Sequence, residues 1–192
     1  MSITIPQPAM ALNSHNVPGG DMKMWNSYKV PADHDPQHIL EWTAVVARGA
    51  PGGKLHALII NCHGIMKKHE DPRAEFGRVF KGGYGLSLGT GILQEHLGLF
   101  GVLNPKDGSP LVADIYITAC AIAQVADPRN RGQAGDGELF CSTMAKMAGA
   151  NVFASAVVQT PDFFSPGPGK IDGYEGKVYK WDKYGTKTLT NL

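Results

Sequence analysis

The chain has 192 residues, 43% of them hydrophobic and 18% charged, which suits one globular domain with a sizeable core and excludes wholesale disorder. Eighteen Lys and Arg against 17 Asp and Glu leave a formal charge of +1, so nothing general drives the chain toward nucleic acid or an anionic membrane. Three widely spaced cysteines without a CxxC pair argue against a disulfide framework or a zinc ribbon, and for a reducing, cytoplasmic setting.

Residues 1–22 are polar and punctuated by Pro6, Pro8, Pro18 and Gly19-Gly20, so an N-terminal arm is expected there, with a single α/β domain over 23–192. The arm has neither the basic nor the apolar region of a secretory signal, and no run of eighteen apolar residues offers a membrane span. Signal-independent export would leave no mark. Met24–Val30 suggests an edge strand stopped by Pro31. Asp35-Pro36 reads as a helix cap with proline at the first helical position, and Ile39, Leu40, Thr43, Val46 and Ala47 repeat at helical spacing as far as Gly49. Leu55–Gly64 (LHALIINCHG) is an apolar block of strand length.

The charged stretch Ile65–Lys81 is expected to be a surface excursion. GGYGLSLGTG (82–91) lacks the Lys-Ser/Thr of a phosphate loop, so its glycines suggest a strand or crevice wall that another backbone approaches closely. Thr90 is a plausible cap for a helix with Leu93, His96, Leu97, Phe100 and Leu103 on one face, where His96 is a partly buried core residue rather than a ligand. A second apolar block, Ala113–Cys120 (ADIYITAC), leads into the polar loop 127–137. Asp136 then caps a helix with Leu139, Phe140, Thr143, Met144 and Met147 turned inward, Cys141 buried within it and Gly149 as its stop. Residues 151–160 are expected to form a buried strand and 177–189 a closing hairpin. Strands alternating with helices favour a three-layer α/β sandwich around a mostly parallel sheet.

The two apolar blocks carry the chemistry. One ends on His63 and the other on Cys120, and in open α/β sheets ligands gather beyond the carboxyl ends of parallel strands. Neighbouring strands ending this way hold an imidazole and a thiol over one crevice. The thiolate is the attacking form of cysteine, and an adjacent imidazole removes its proton. The amides of Gly64 and Cys120 are candidate donors to a developing oxyanion. Taken singly, each residue also has a plain structural reading: a cysteine at a strand end as a small buried hydrophobe, a histidine before glycine as a turn residue. Metal binding by Cys62, His63, His69 and Glu70 is a further reading, but neighbours along a strand point to opposite faces, so Cys62 and His63 do not readily share an ion.

An apolar block ending His-Gly, followed some sixty residues later by one ending Ala-Cys, resembles the active-site signature of the clan CD cysteine peptidases, the caspase-haemoglobinase fold. Bacterial caspase-like and CHAT-type proteins are similar over about residues 38–160, including FCSTMAKMAGANVFASAVVQT after the nucleophile. The resemblance implies a caspase-like fold, His63 as general acid/base, Cys120 as nucleophile, and Gly64 with Cys120 as oxyanion donors. It implies a protein or peptide substrate and no cofactor, metal, nucleic acid or membrane partner. Thr118 stands where caspases carry glutamine, so aspartate selectivity does not carry over, and the short chain corresponds to a minimal version of the fold. Thr118 and Ser155 are the candidate substrate-binding side chains, while Asp114, Asp162 and Asp172 are acids that could select Arg or Lys. Arg129 and Arg131, in the loop after the nucleophile, are possible self-processing sites. The alternative is a caspase-like pseudoenzyme or peptide-binding module that uses the crevice without catalysis.

Overall fold

A computed structural model of the chain describes residues 2–17, 20–70, 79–126, 131–159 and 166–192, and at residues 69, 70, 79 and 80 the backbone alone. Its elements in order are β1 (Ser2–Thr4), β2 (Ala9–Ser14), β3 (Asn26–Val30), α1 (Pro36–Gly49), β4 (Leu55–Asn61), β5 (His63–Glu70), β6 (Val79–Ser87), β7 (Ile92–Leu93), a 3-10 run (Gln94–Leu103), β8 (Val112–Ile117), α2 (Gly137–Ala148), β9 (Asn151–Ser155), β10 (Lys170–Asp172), β11 (Val178–Trp181) and β12 (Lys187–Thr190). Seven strands form one mixed sheet in the order β12-β11-β9-β8-β4-β2-β3, parallel from β9 to β3 with β11 and β12 antiparallel at one edge. The protein is therefore mixed α/β with a mostly parallel sheet.

The expected N-terminal arm is a correction. Within it, β2 is buried along its whole length and lies between β3 and β4. Its sequence, AMALNS, is short and half small residues, which hides the strand from a hydrophobicity reading; strands covered on both faces need not alternate. β1 pairs with β10 in a separate two-stranded ribbon.

The connections explain what covers each face. From β3 the chain crosses through α1 to β4, from β4 to β8, and through α2 to β9, always in the same direction across the sheet. Parallel crossovers share one hand, so α1, the 3-10 run and α2 pack on one face. The step from β2 to β3 runs the other way, and its Met22 packs on the opposite face with Ile5, Ala57, Ile59, Phe153 and Ile171. There the β1–β10 ribbon and connecting chain, rather than helices, provide the cover that the three-layer expectation gave to helices.

α1 forms as its cap predicts: Asp35 accepts from the His38 amide at 2.8 Å, Pro36 opens the helix, and Ile39, Leu40, Thr43, Ala44, Val46 and Ala47 are buried. α2 is capped by Asp136 and ends at Gly149 with φ of 63°. Its buried stripe is Phe140, Cys141, Met144, Ala145 and Ala148, whereas Met147, expected inside, is exposed. Each large side chain of that stripe is worth about 1.5–3 kcal/mol of burial. The helix expected after Thr90 is a 3-10 run with Leu97, Phe100 and Leu103 buried, three apart as three residues per turn require. The described parts of the excursion expected at 65–81 are sheet: β5 pairs antiparallel with β6, and β6 with β7, while 71–78 lie outside the described residues. The strand expected over 151–160 stops at Ser155, and Val157 and Val158 are exposed.

Candidate active site

β4 and β8 are parallel neighbours with Ile60 opposite Ile117, which puts His63 and Cys120 each three residues beyond a matched pair. The pairing continues past the strands, because the Thr118 amide and hydroxyl both donate to the Ile60 carbonyl, at 3.1 and 3.3 Å. His63 and Cys120 consequently line one solvent-open cleft. Alternation along the chain sends Cys62 into the core, where burial pushes its thiol well above the ordinary range, and leaves His63 exposed. Cys141 is likewise buried, with its thiol raised, while Cys120 is partly exposed.

Backbone carbonyls hold both candidate side chains. His63 Nε2 donates to the Asn16 carbonyl at 3.2 Å. A carbonyl only accepts, so Nε2 carries the hydrogen and Nδ1 of the neutral ring keeps the lone pair. The Cys120 thiol donates to the Gln159 carbonyl at 3.2 Å. That carbonyl is itself fixed, since the Gln159 side chain donates to the Val157 and Glu175 carbonyls and accepts from the Glu175 amide. Neither Asn16 nor Gln159 is signalled by the sequence, because each contributes a main-chain oxygen.

Beneath the cleft, Asn13 Oδ1 accepts from the Met22 amide at 2.8 Å and its amide donates to the Met22 carbonyl at 3.1 Å. Asn61 donates to Asn13 and to the Gly20 carbonyl and accepts from Thr118. This buried network ties the segment bearing Asn16 to the ends of β2, β4 and β8. It also occupies the Thr118 hydroxyl hydrogen, leaving that side chain able to face a ligand as an acceptor.

The turn after β8 is held tightly. Ala121 adopts φ of 49°, a left-handed conformation costing a non-glycine residue about 1–2 kcal/mol. Its amide donates to the Val157 carbonyl and its carbonyl accepts from Gln124, both at 2.9 Å. Such strain persists where the surroundings over-determine it. The β5–β6 hairpin supplies those surroundings through glycine: a Cβ on Gly64 would overlap the Cys120 carbonyl, one on Gly83 the Ile122 carbonyl, and one on Gly82 the Gly135 carbonyl. The glycines of 82–91 do permit close backbone approach: the segment following Cys120 comes up against Gly82 and Gly83, the Ile92 carbonyl against Gly85 and the His34 carbonyl against Gly89. The space beside Gly64 is filled by Cys120 itself.

Of the remaining sequence candidates, Thr118 and Asp172 line the His63 cleft. Ser155 is a correction: it is fully buried, donating to the Glu175 carbonyl and accepting from Val157, so it shapes the loop under the thiol and is closed to a substrate. Asp114 lies in the first half of β8 and accepts from Asn151 at 2.8 Å. Asp162 and Arg129 lie outside the described residues. Arg131 is exposed, 3.8 Å from Glu138. Among the described residues no three His, Cys, Asp or Glu side chains are grouped as a metal would require, and no helix is long and apolar enough to cross a membrane. Cys120 also borders a second cleft, with Met66, Lys81, Gln124, Ala126 and Val158, so it stands between two hollows. No protein-family model, curated protein or solved structure matches this chain.

Proposed function

We propose that the protein is a caspase-like cysteine peptidase that cleaves peptide bonds with a His63/Cys120 dyad. The observation carrying this reading is the equal register of His63 and Cys120 beyond paired parallel strands, over one cleft, with His63 Nε2 engaged by Asn16. Nδ1 is then the nitrogen that takes the thiol proton. The thiolate attacks the substrate carbonyl, the Gly64 and Cys120 amides receive the oxyanion, and His63 returns the proton to the leaving amine. Water, deprotonated by His63, hydrolyses the thioester and releases the acid. The Cys120 thiol must leave the Gln159 carbonyl for this to begin, a rotation about one side-chain bond. A free thiol nucleophile is kept reduced in the cytoplasm, so the reading includes a cytoplasmic location.

The Gln159 contact is also what a binding module would retain, with the thiol parked and the clefts holding a peptide. Alkylation separates the two readings. In the peptidase, iodoacetamide labels Cys120 faster at neutral pH than Cys62 or Cys141, His63→Ala slows that labelling without unfolding the protein, and Cys120→Ala abolishes peptide hydrolysis. A Cys120 whose labelling ignores His63, in protein that binds peptides without cutting them, would establish the binding module.

A further inference from the structure

We propose that the outer face of α1 binds a second copy of this chain, pairing the two helices antiparallel about a two-fold axis at Val45. That face carries apolar surface the fold does not cover: Trp42 is 43% exposed and Val45 54%. Tyr28 of the edge strand β3 meets Trp42 along one side, with 6.4 Å between ring centroids, and leaves the outer side of the indole open. None of the exposed residues of α1 lines either cleft beside Cys120, so association through this helix is independent of the chemistry proposed there.

The sequence of α1 points to the occupant. At 3.6 residues per turn Val45 lies along the middle of the exposed face, with Glu41 and Arg48 on one flank and Trp42 and Gly49 on the other. On each flank the two residues stand two turns apart and almost equally far to either side of Val45. A two-fold axis at Val45 sets each flank against its own copy with the direction reversed. Glu41 then faces the partner's Arg48, and Arg48 the partner's Glu41. Each Trp42 indole lies over the partner's Gly49, where a Cβ would meet nothing within 4 Å and the missing side chain leaves a seat. Val45 meets the partner's Val45 on the axis. The charges are available: Glu41 accepts from Gln37 at 2.7 Å, and neither it nor Arg48 has an oppositely charged partner among the described residues. A parallel pair would set like charges side by side, and an unrelated protein would have no reason to match a pattern symmetric about one residue. The formal charge of +1 leaves little repulsion between whole copies. A single helix pair falls at the small end of specific interfaces, below about 1,200 Å², so the dimer should be weak, with a Kd of about 10–100 μM.

Sedimentation velocity of the full chain, from about 1 μM to about 1 mM, is the test, and the wild type should pass from monomer to dimer across that range. Val45→Lys, Glu41→Arg and Arg48→Glu, all at exposed positions, should each weaken association at least about 10-fold. Mixing then checks the register. Glu41→Arg and Arg48→Glu, each monomeric alone, should pair with one another, because every charged contact between them joins opposite signs. The double variant Glu41→Arg/Arg48→Glu should dimerise like the wild type. A wild type that stays monomeric throughout would overturn the proposal and give the face to a partner other than this chain. A dimer that survives Val45→Lys lies elsewhere on the surface, and a mixture of the two charge variants that stays monomeric refutes the antiparallel pairing; either result overturns the assignment. The wild-type titration and its response to Val45→Lys decide the matter if a charge-reversed helix does not fold.

Discussion

Gly64→Ala isolates the contact on which the site's geometry depends. The new Cβ would fall well inside 3.0 Å of the Cys120 carbonyl oxygen, closer than such atoms come, and 3.3 Å from its carbonyl carbon. The obstacle is backbone rather than a flexible side chain tip, so the two strand ends must separate by about 1 Å. Overpacking of this kind costs about 1–3 kcal/mol, and a displacement of about 1 Å at a reacting centre costs about 10²-fold in rate. Gly64→Ala should thus remain folded, with a lower denaturation midpoint, while, on the proposed peptidase reading, kcat/KM for peptide cleavage falls about 10²-fold and iodoacetamide labelling of Cys120 changes far less. Gly98→Ala is the control: a Cβ there meets nothing within 4 Å, and stability and activity should hold. Wild-type cleavage and stability in Gly64→Ala would refute the argument that this glycine sets the distance between the two strands.

The fold should weaken in alkali. Burial raises Cys62, Cys141, Tyr174 and Tyr116, the last to about 12, so above pH 9 the unfolded chain loses protons that the folded one keeps. Stability contributed by each group is full below its unfolded pKa and falls by about 1.4 kcal/mol per pH unit above it; urea midpoints unchanged from pH 7 to 11 would contradict this. Asn13→Ala strands the Met22 amide and carbonyl and takes one of two acceptors from the Asn61 amide, and should cost about 2–3 kcal/mol by urea denaturation while loosening the segment that holds His63. Ala121→Gly removes the left-handed strain and should leave stability equal or up to about 1 kcal/mol higher, with slower cleavage because the turn no longer fixes Cys120. If the cleft selects basic residues, the exposed Arg131 becomes a self-processing site, so a nick after it should appear on incubation of wild type and never in Cys120→Ala.

Local signals were legible wherever one residue type has one physical use. Asp35-Pro36, Asp136 and Gly149 mark helix ends because few residues cap or reverse a backbone, and all three do so. The blocks around β4 and β8 read as strands from their Ile and Leu content. β2 failed that test, because Ala9, Ala11 and Ser14 are small; they fit a crowded interior position whose worth lies in what its neighbours bury. β5 failed for the opposite reason. Its Lys67 and Lys68 are exposed on a hairpin that stands off the main sheet, so charge and strand coexist.

The candidate side chains stand out in the sequence for the reason that most of their surroundings do not. An imidazole and a thiol announce themselves by chemistry, whereas the groups that orient them are carbonyls of Asn16 and Gln159, which any residue could supply. What selects residue type at those positions acts one step further out: Asn13 and Asn61 pin the segment carrying the Asn16 carbonyl, and the Gln159 amide pins its own main chain against Glu175. The same logic locates the site within the fold. Strand order reverses between β2 and β4, where one connection leaves across one face and the next returns across the other, so their carboxyl ends diverge and leave a hollow. The segments leaving those two strands carry Asn16 and His63, and the third strand, β8, brings Cys120 alongside. Topology thus opens the cleft, and the buried asparagines decide where its walls stop.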